Sequence, residues 1–347
     1  MLSPAQITLL QEELKTAKNP LFLYDSDADG LCSFLLLYRM HMEGKGVRVT
    51  DSSKIDEQLV RKVQEIQPDK IFILDIPVLS QEFVDAVKVP IFWIDHHQPQ
   101  QIKNVQYFNP RLKDADAYVP TTRMAYQISQ NEDDLWIATA GCLADWHMPD
   151  FIDRFIEKYP GLLSEKSDLT TTLYKNQVGR LVKLFFFLQK GPSPEVRKSI
   201  SVLSKIKSPQ EIYNQESSAG KFLYKRFEKI NAKYEEILAQ AKKKITKGKI
   251  VLFTYNSSQW SFTANIANEL SALYPKKVII IAREKSGSMK CSIRAQFPIA
   301  GALEKALVGI EGHGGGHPNA CGAVIKEEDW ARFLEHFKEE LKDGTSD

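Results

Sequence analysis

The apolar residues of this chain fall into two kinds of run. Short blocks at 21–24, 47–50, 71–74 and 91–94 are rich in β-branched and aromatic side chains. Blocks of that length and composition predict strands, and strands apolar on both faces belong inside a covered parallel sheet. Between them the apolar positions step by three and four, as at Leu31, Phe34, Leu35 and Tyr38, and again around 56–67 and 80–87. Those steps predict amphipathic helices. Strand and helix alternate, so the pattern predicts an α/β fold with helices on both faces of a parallel sheet.

Residues 121–144 read as helical and lead into Ala144-Asp145-Trp146-His147, and 151–215 carry mixed helical periodicity without a chemical signature. Phe222, Phe227, Ile230, Tyr234, Leu238, Ala241 and Ile245 then recur at helical steps among Lys, Glu, Arg and Gln. That is a long connecting helix, ending at Lys247-Gly248. A second α/β unit follows: strand 250–255, helix 261–273, strands 278–283 and 291–296, and a helix leading to a glycine cluster. The expected organisation is an N-terminal domain with a helical extension over 1–215, a connecting helix over 216–247 and a smaller domain over 248–347. Ser3-Pro4-Ala5-Gln6 reads as a capping box opening a first helix. Residues 342–347 are expected to fray.

Composition narrows the classes. The chain has 347 residues, 43% hydrophobic and 26% charged, which suits globular domains with sizeable cores. A formal charge of +2 gives no global field for nucleic acid, so such contacts must come from local patches. Lys242, Lys243, Lys244, Lys247 and Lys249 form one patch, equally readable as a solvated helix end. Cys32, Cys142, Cys291 and Cys321 make no C-x-x-C pair, so reduced thiols are expected and no zinc site. The N-terminus lacks the charge and cleavage pattern of a signal peptide, and no apolar run is long enough to span a membrane. A soluble, cytoplasmic protein without membrane partners is the expectation.

The acids carry the chemistry. Asp25, Asp75 and Asp95 each follow the last residue of an apolar block, Asp27 and Asp29 stand just after Asp25, and Asp145 follows the helical stretch 121–144. In open α/β sheets ligands bind beyond the carboxyl ends of the strands, so three separate acidic loops would meet there. A lone aspartate at such a turn is an ordinary helix cap. Several in register, closed by Asp95-His96-His97, form a cluster that would repel itself without cations. Hard Mg²⁺ and Mn²⁺ take carboxylate oxygen, and Mn²⁺ accepts imidazole more readily.

The motifs resemble those of the DHH phosphoesterase family, and the resemblance spans nearly the whole chain. Asp25-Ser26-Asp27-Ala28-Asp29-Gly30 is similar to the first motif, Leu74-Asp75-Ile76-Pro77 to the second, Asp95-His96-His97 to the third and Asp145 to the fourth. Ser292-Ile293-Arg294 with Gly314-Gly315-Gly316-His317-Pro318-Asn319 is similar to the DHH-associated domain that grips the substrate. The resemblance implies two divalent ions, Mn²⁺ favoured and Mg²⁺ possible. It implies Asp27 and Asp75 on one ion with help from Asp25, and Asp29, Asp75, His96 and Asp145 on the other. His97 is then expected to face the scissile phosphate, and Asp95 to fix the His96 ring. Arg294, Gly314, Gly315, Gly316, His317 and Asn319 are expected to cradle the substrate. Trp146, His147, Thr121, Thr122 and Arg123 are read equally well as packing or capping. One position departs from the family, which usually has a histidine where this chain has Asp25 or Leu23; an altered metal preference is expected.

The Asp-Ala-Asp-Gly spelling is nearer to RecJ-like proteins, especially the compact archaeal ones. The leading expectation is therefore a single-strand-specific exonuclease, 3′-to-5′ favoured, releasing mononucleotides from DNA or RNA, with a replication or repair protein as a possible partner. The alternatives are a nuclease of very short oligonucleotides or a cyclic-dinucleotide phosphodiesterase, and a catalytically silent replication or repair scaffold.

Overall fold

The computed structural model describes residues 1–50, 54–256 and 259–343. It divides into two compact units, Met1–Phe227 and Glu228–Asp347.

The first unit holds strands β1 (Leu21–Asp25), β2 (Lys45–Val49), β3 (Lys54–Ile55), β4 (Ile71–Leu74), β5 (Val78–Leu79), β6 (Ile91–Ile94) and β7 (Gln106–Phe108). Its helices are α1 (Pro4–Thr16), α2 (Ala28–Arg39), α3 (Val60–Ile66), α4 (Gln81–Ala86), α5 (Thr121–Ser129) and α6 (Leu135–Ala144), followed by α7 (Ile152–Lys158), α8 (Leu169–Lys175), α9 (Gln177–Leu188), α10 (Ser193–Leu203) and α11 (Pro209–Tyr213). The main sheet is parallel throughout, in the order β2-β1-β4-β6-β7, and β3 pairs with β5 alone.

Strand alternation sorts the blocks onto two faces. Leu21, Leu23, Ile71, Ile73, Ile91 and Trp93 point to one side, where Val63 and Ile66 of α3 and Phe83 and Val84 of α4 cover them. Phe22, Phe72 and Phe92 are partners across the other side and stack at 5.4 and 5.1 Å. Phe34 of α2 closes on Phe22 edge-on at 5.6 Å. Each fully buried ring contributes roughly 1.5–3 kcal/mol, so the three form a stiff floor under the strand ends. The Ser3 and Gln6 capping box is present at α1.

The predicted helix over 121–144 is two helices. Gln130 takes a left-handed conformation (φ 49°), and the Asn131 side chain caps the turn that leads into α6 by accepting from Asp133 N at 3.1 Å.

A helix, α12 (Ser218–Lys242), contains the boundary between the units. The second unit has β8 (Ile250–Asn256), α13 (Thr263–Leu273), β9 (Val278–Lys285), β10 (Ser288–Arg294), α14 (Ala300–Ala306), β11 (Gly312–His317), β12 (Ala320–Lys326) and α15 (Trp330–Asp343). Its sheet runs β11-β12-β10-β9-β8, with only β8 and β9 parallel. The expected fraying of 342–347 falls partly outside the described residues. No described helix is long and apolar enough to cross a membrane.

Candidate metal centre

The chain leaves β1 for β2 on one side and returns to β4 on the other, so the sheet has its topological switch point between β1 and β4. Crevices outside the carboxyl ends of strands open at such points. Asp25 ends β1, Asp75 follows β4 and Asp95 follows β6.

Asp27 is the N-cap of α2 and accepts from Gly30 N at 2.9 Å. Asp29, in the first turn, is 1% exposed. It accepts the N–H groups of Thr121 (2.9 Å) and Thr122 (2.7 Å), the first two residues of α5. The start of α5 therefore neutralises part of its charge. The Thr121 hydroxyl donates to Asp75 Oδ1 at 3.2 Å and the Thr122 hydroxyl to Asp29 O at 3.0 Å. Asp75 is itself left-handed (φ 60°), a conformation that costs a non-glycine residue about 1 kcal/mol or more. Asp145 caps the C-terminus of α6, and Tyr118 OH lies 2.7 Å from both its carbonyl and its Oδ2.

His96 Nε2 stands 3.3 Å from Asp75 Oδ1, 3.7 Å from Asp145 Oδ2 and 3.9 Å from Asp29 Oδ2. Three sets of donors each lie within 4.8 Å of one another: Asp25, Asp27 and Asp75; Asp29, His96 and Asp145; and Asp75, His96 and His97. Ligand atoms ~2.1 Å from one octahedral ion stand ~3 Å apart, so these spacings and this oxygen-rich donor set fit hard divalent cations.

The electrostatics point the same way. Burial raises the carboxyl groups of Asp27, Asp29, Asp75 and Asp145 above the usual range. The charge of Asp29 adds to the rise at Asp27, Asp75 and Asp145, while the Thr121 and Thr122 donors hold Asp29 back. Burial disfavours the His97 imidazolium, but the hydrogen bond and charge of Asp95, with Asp27 and Asp29, outweigh it and the net shift is upward.

One expectation changes. Asp95 fixes His97 instead of His96: its carboxylate takes His97 Nδ1 at 2.7 Å and His97 N at 3.0 Å, with Tyr107 and Asn109 donating to Oδ2 at 3.3 Å each. The fixed Nδ1–H turns His97 Nε2 into the nitrogen available for chemistry. The glycine cluster is the edge strand β11. Gly314 and Gly316 press against β12, where an added Cβ would lie 2.8 Å from Gly322 O and 2.4 Å from Ala320 O, while Gly315 faces open space. Arg294 spans β10, β12 and α13: Nε donates to Asn268 Oδ1 at 2.6 Å, and Nη1 to Ile293 O and Cys321 O at 2.9 Å each. His317 and Asn319 stand at the exposed end of the β11–β12 hairpin, with Asn319 O accepting from Ala295 N at 3.1 Å.

Nothing in the sequence singles out Tyr118, which stands in a polar loop away from any strand end. Thr121 and Thr122 read there only as packing or capping residues; the proline that precedes them is the available signal for a helix start whose N–H groups face inward.

A parallel sheet with acids gathered at its switch point, joined to a smaller unit with a mixed sheet, is the DHH phosphoesterase fold. Residues 22–145 match the DHH family N-terminal domain and 259–343 the DHHA1 domain, and the chain belongs to the DHH family. RecJ of Thermus thermophilus, solved with Mn²⁺, is similar in fold: TM-score 0.67 and 15% identity over 97% of this chain and 54% of that one. The chain thus spans about half the length of the Thermus protein. An exonuclease RecJ bound to manganese matches at TM-score 0.59 and 15% identity, covering 98% of this chain and 94% of that one. A DHH domain described as a member of a family of ribosomal proteins matches at 0.66 and 15%, covering 96% and 89%. No curated protein matches by sequence.

Proposed function

We propose that the chain is a metal-dependent phosphodiesterase, acting as an exonuclease on single-stranded nucleic acid and releasing mononucleotides. The observation that carries this reading is the meeting of three separate carboxylate-bearing segments around His96 at one switch point. Asp25, Asp27 and Asp75 would hold one divalent ion and Asp29, Asp75, His96 and Asp145 a second, Mn²⁺ favoured over Mg²⁺. Two such ions offset charge on the attacking and leaving oxygens of a phosphoryl displacement. Asp75 would be shared between the two ions, and its left-handed backbone presents the carboxylate to both candidate groups of donors. Asp95 holds the His97 ring with Nε2 outward, so that His97 can donate to a substrate phosphate oxygen. The second unit would contribute binding through the exposed edge of Gly314, Gly315 and Gly316, with His317 and Asn319, while Arg294 braces that edge from within. Consecutive glycines let backbone N–H groups approach a phosphate closely. The 3′-to-5′ polarity and a replication or repair partner belong to the same reading, and rest on the resemblance to the compact archaeal RecJ-like proteins.

The test is a timed digestion of 5′-labelled single-stranded DNA and RNA, beside a labelled dinucleotide, in Mn²⁺. A descending ladder on the long strands is expected. Immediate release of labelled mononucleotide would reverse the polarity, cleavage of the dinucleotide alone would make this a nuclease of very short substrates, and no cleavage would overturn the hydrolytic reading.

A further inference from the structure

Strand β2 is the outer strand of the main sheet, and no described strand pairs with its free edge. Its ladder to the interior begins with Lys45 N–H donating to the Pro20 carbonyl at 2.9 Å. Alternation along a parallel strand then turns the N–H and C=O groups of Gly46 and Arg48 away from β1. A groove of about 530 Å³ runs along this edge, between α3 and α10. Its floor is apolar, from Ile66 on one wall and Val196 and Ile200 on the other. Lys45, Arg48, Lys62 and Arg197 line it, and among the described residues no acidic side chain does. Lys62 shares its charge with Glu65 at 3.1 Å. Arg48 Nη1 donates to Gln189 O, and Gln189 Nε2 donates to Asp27 O, so the groove wall is tied by two hydrogen bonds to the cap of α2.

We propose that this edge is a docking site for an extended acidic segment of a partner protein, which adds to β2 as a further strand. The three features select one occupant between them. Outward N–H and C=O groups ask for an extended backbone, the aliphatic floor for alternate apolar side chains, and the basic rim for carboxylates on the others. A single nucleic-acid strand satisfies the rim alone. It would look for aromatic platforms, and the one described aromatic residue lining the groove, Tyr24, is buried and stacked on Phe34 at 4.6 Å. The site lies outside the metal cluster and does not depend on the reaction proposed above.

The test uses the full chain and a capped, fluorescent peptide of alternating valine and glutamate, matched in length to the five residues of β2. Anisotropy should show saturable binding, and amide exchange at Gly46 and Arg48 should slow when the peptide is bound. Lys45→Glu together with Arg197→Glu should weaken binding by about tenfold or more, with an unchanged thermal melt and unchanged hydrolysis. The same peptide methylated on alternate amide nitrogens should not bind. The proposal falls if the peptide fails to saturate, or if binding survives the charge reversal or the methylation. It falls equally if an oligothymidylate, and not the peptide, protects Gly46 and Arg48 and loses affinity in the double variant.

Discussion

The hydroxyl of Thr121 donates to Asp75 Oδ1 at 3.2 Å, with both side chains fully buried. The donor fixes which way the Asp75 carboxylate turns. Thr121→Val preserves shape and removes only that hydrogen bond. Losing such an outer support typically weakens metal affinity ~10–100-fold, so calorimetric titration with Mn²⁺ should show a loss in that range. An unchanged dissociation constant would mean that Asp75 is held by its backbone alone.

Gly30 has no room for a side chain. A Cβ there would sit 2.6 Å from Asp25 O and 2.8 Å from Asp25 N. Gly30→Ala must push the first turn of α2 off the end of β1 and carry Asp27 and Asp29 with it. The expected result is a stability loss of roughly 1–3 kcal/mol and impaired Mn²⁺ binding, although no carboxylate is touched. Chemical denaturation and calorimetry on the same variant read the two effects separately.

Asp75 combines a left-handed backbone with the charges of four neighbouring aspartates. Asp75→Asn tolerates the same φ, keeps an acceptor for Thr121 and removes the charge. In chelator at pH 8 it should be more stable than the native chain, because the substitution removes a buried charge among like charges. Hydrolysis should be abolished. A variant no more stable than the parent would show that the cluster is not strained without cations.

Stability against pH has a definite sign. Asp27, Asp29, Asp75 and Asp145 all have raised folded-state values. Their contribution is therefore fully present below the unfolded carboxylate value of ~3.9 and is lost as pH rises through the folded values. His97, also raised, adds in the same direction. The chelated protein should melt at a lower temperature at pH 8 than at pH 5. Mn²⁺ competes with protons for the same groups, so its stabilising effect should grow over that interval. A chelated melt that rises with pH would contradict the burial of these acids.

Much of this centre is legible in the sequence because its acids stand beside the strongest signals in the chain. The blocks at 71–74 and 91–94 are the observed strands β4 and β6, and Asp75 and Asp95 are the next residues. The glycine strand is not legible. Gly312–His317 has no hydrophobic alternation, and only the tertiary fit against β12, where a Cβ would clash at alternate positions, makes it a strand. The short β3, β5 and β7 carry too few residues for a period to show. The choice of His97 over His96 as the partner of Asp95 depends on a loop conformation that adjacent histidines in a sequence cannot encode.

The origin of the acids also reaches the folding path. Asp25, Asp27 and Asp29 share one strand-to-helix turn, whereas Asp75 and Asp145 come from distant loops. Their repulsion is weak in the open chain and is met only as the long-range contacts close. Folding without cations therefore ends against its own charge, and stopped-flow refolding should be faster in Mn²⁺ than in chelator. By that account the supply of divalent ions would govern how quickly a newly made chain becomes native, before any substrate is present.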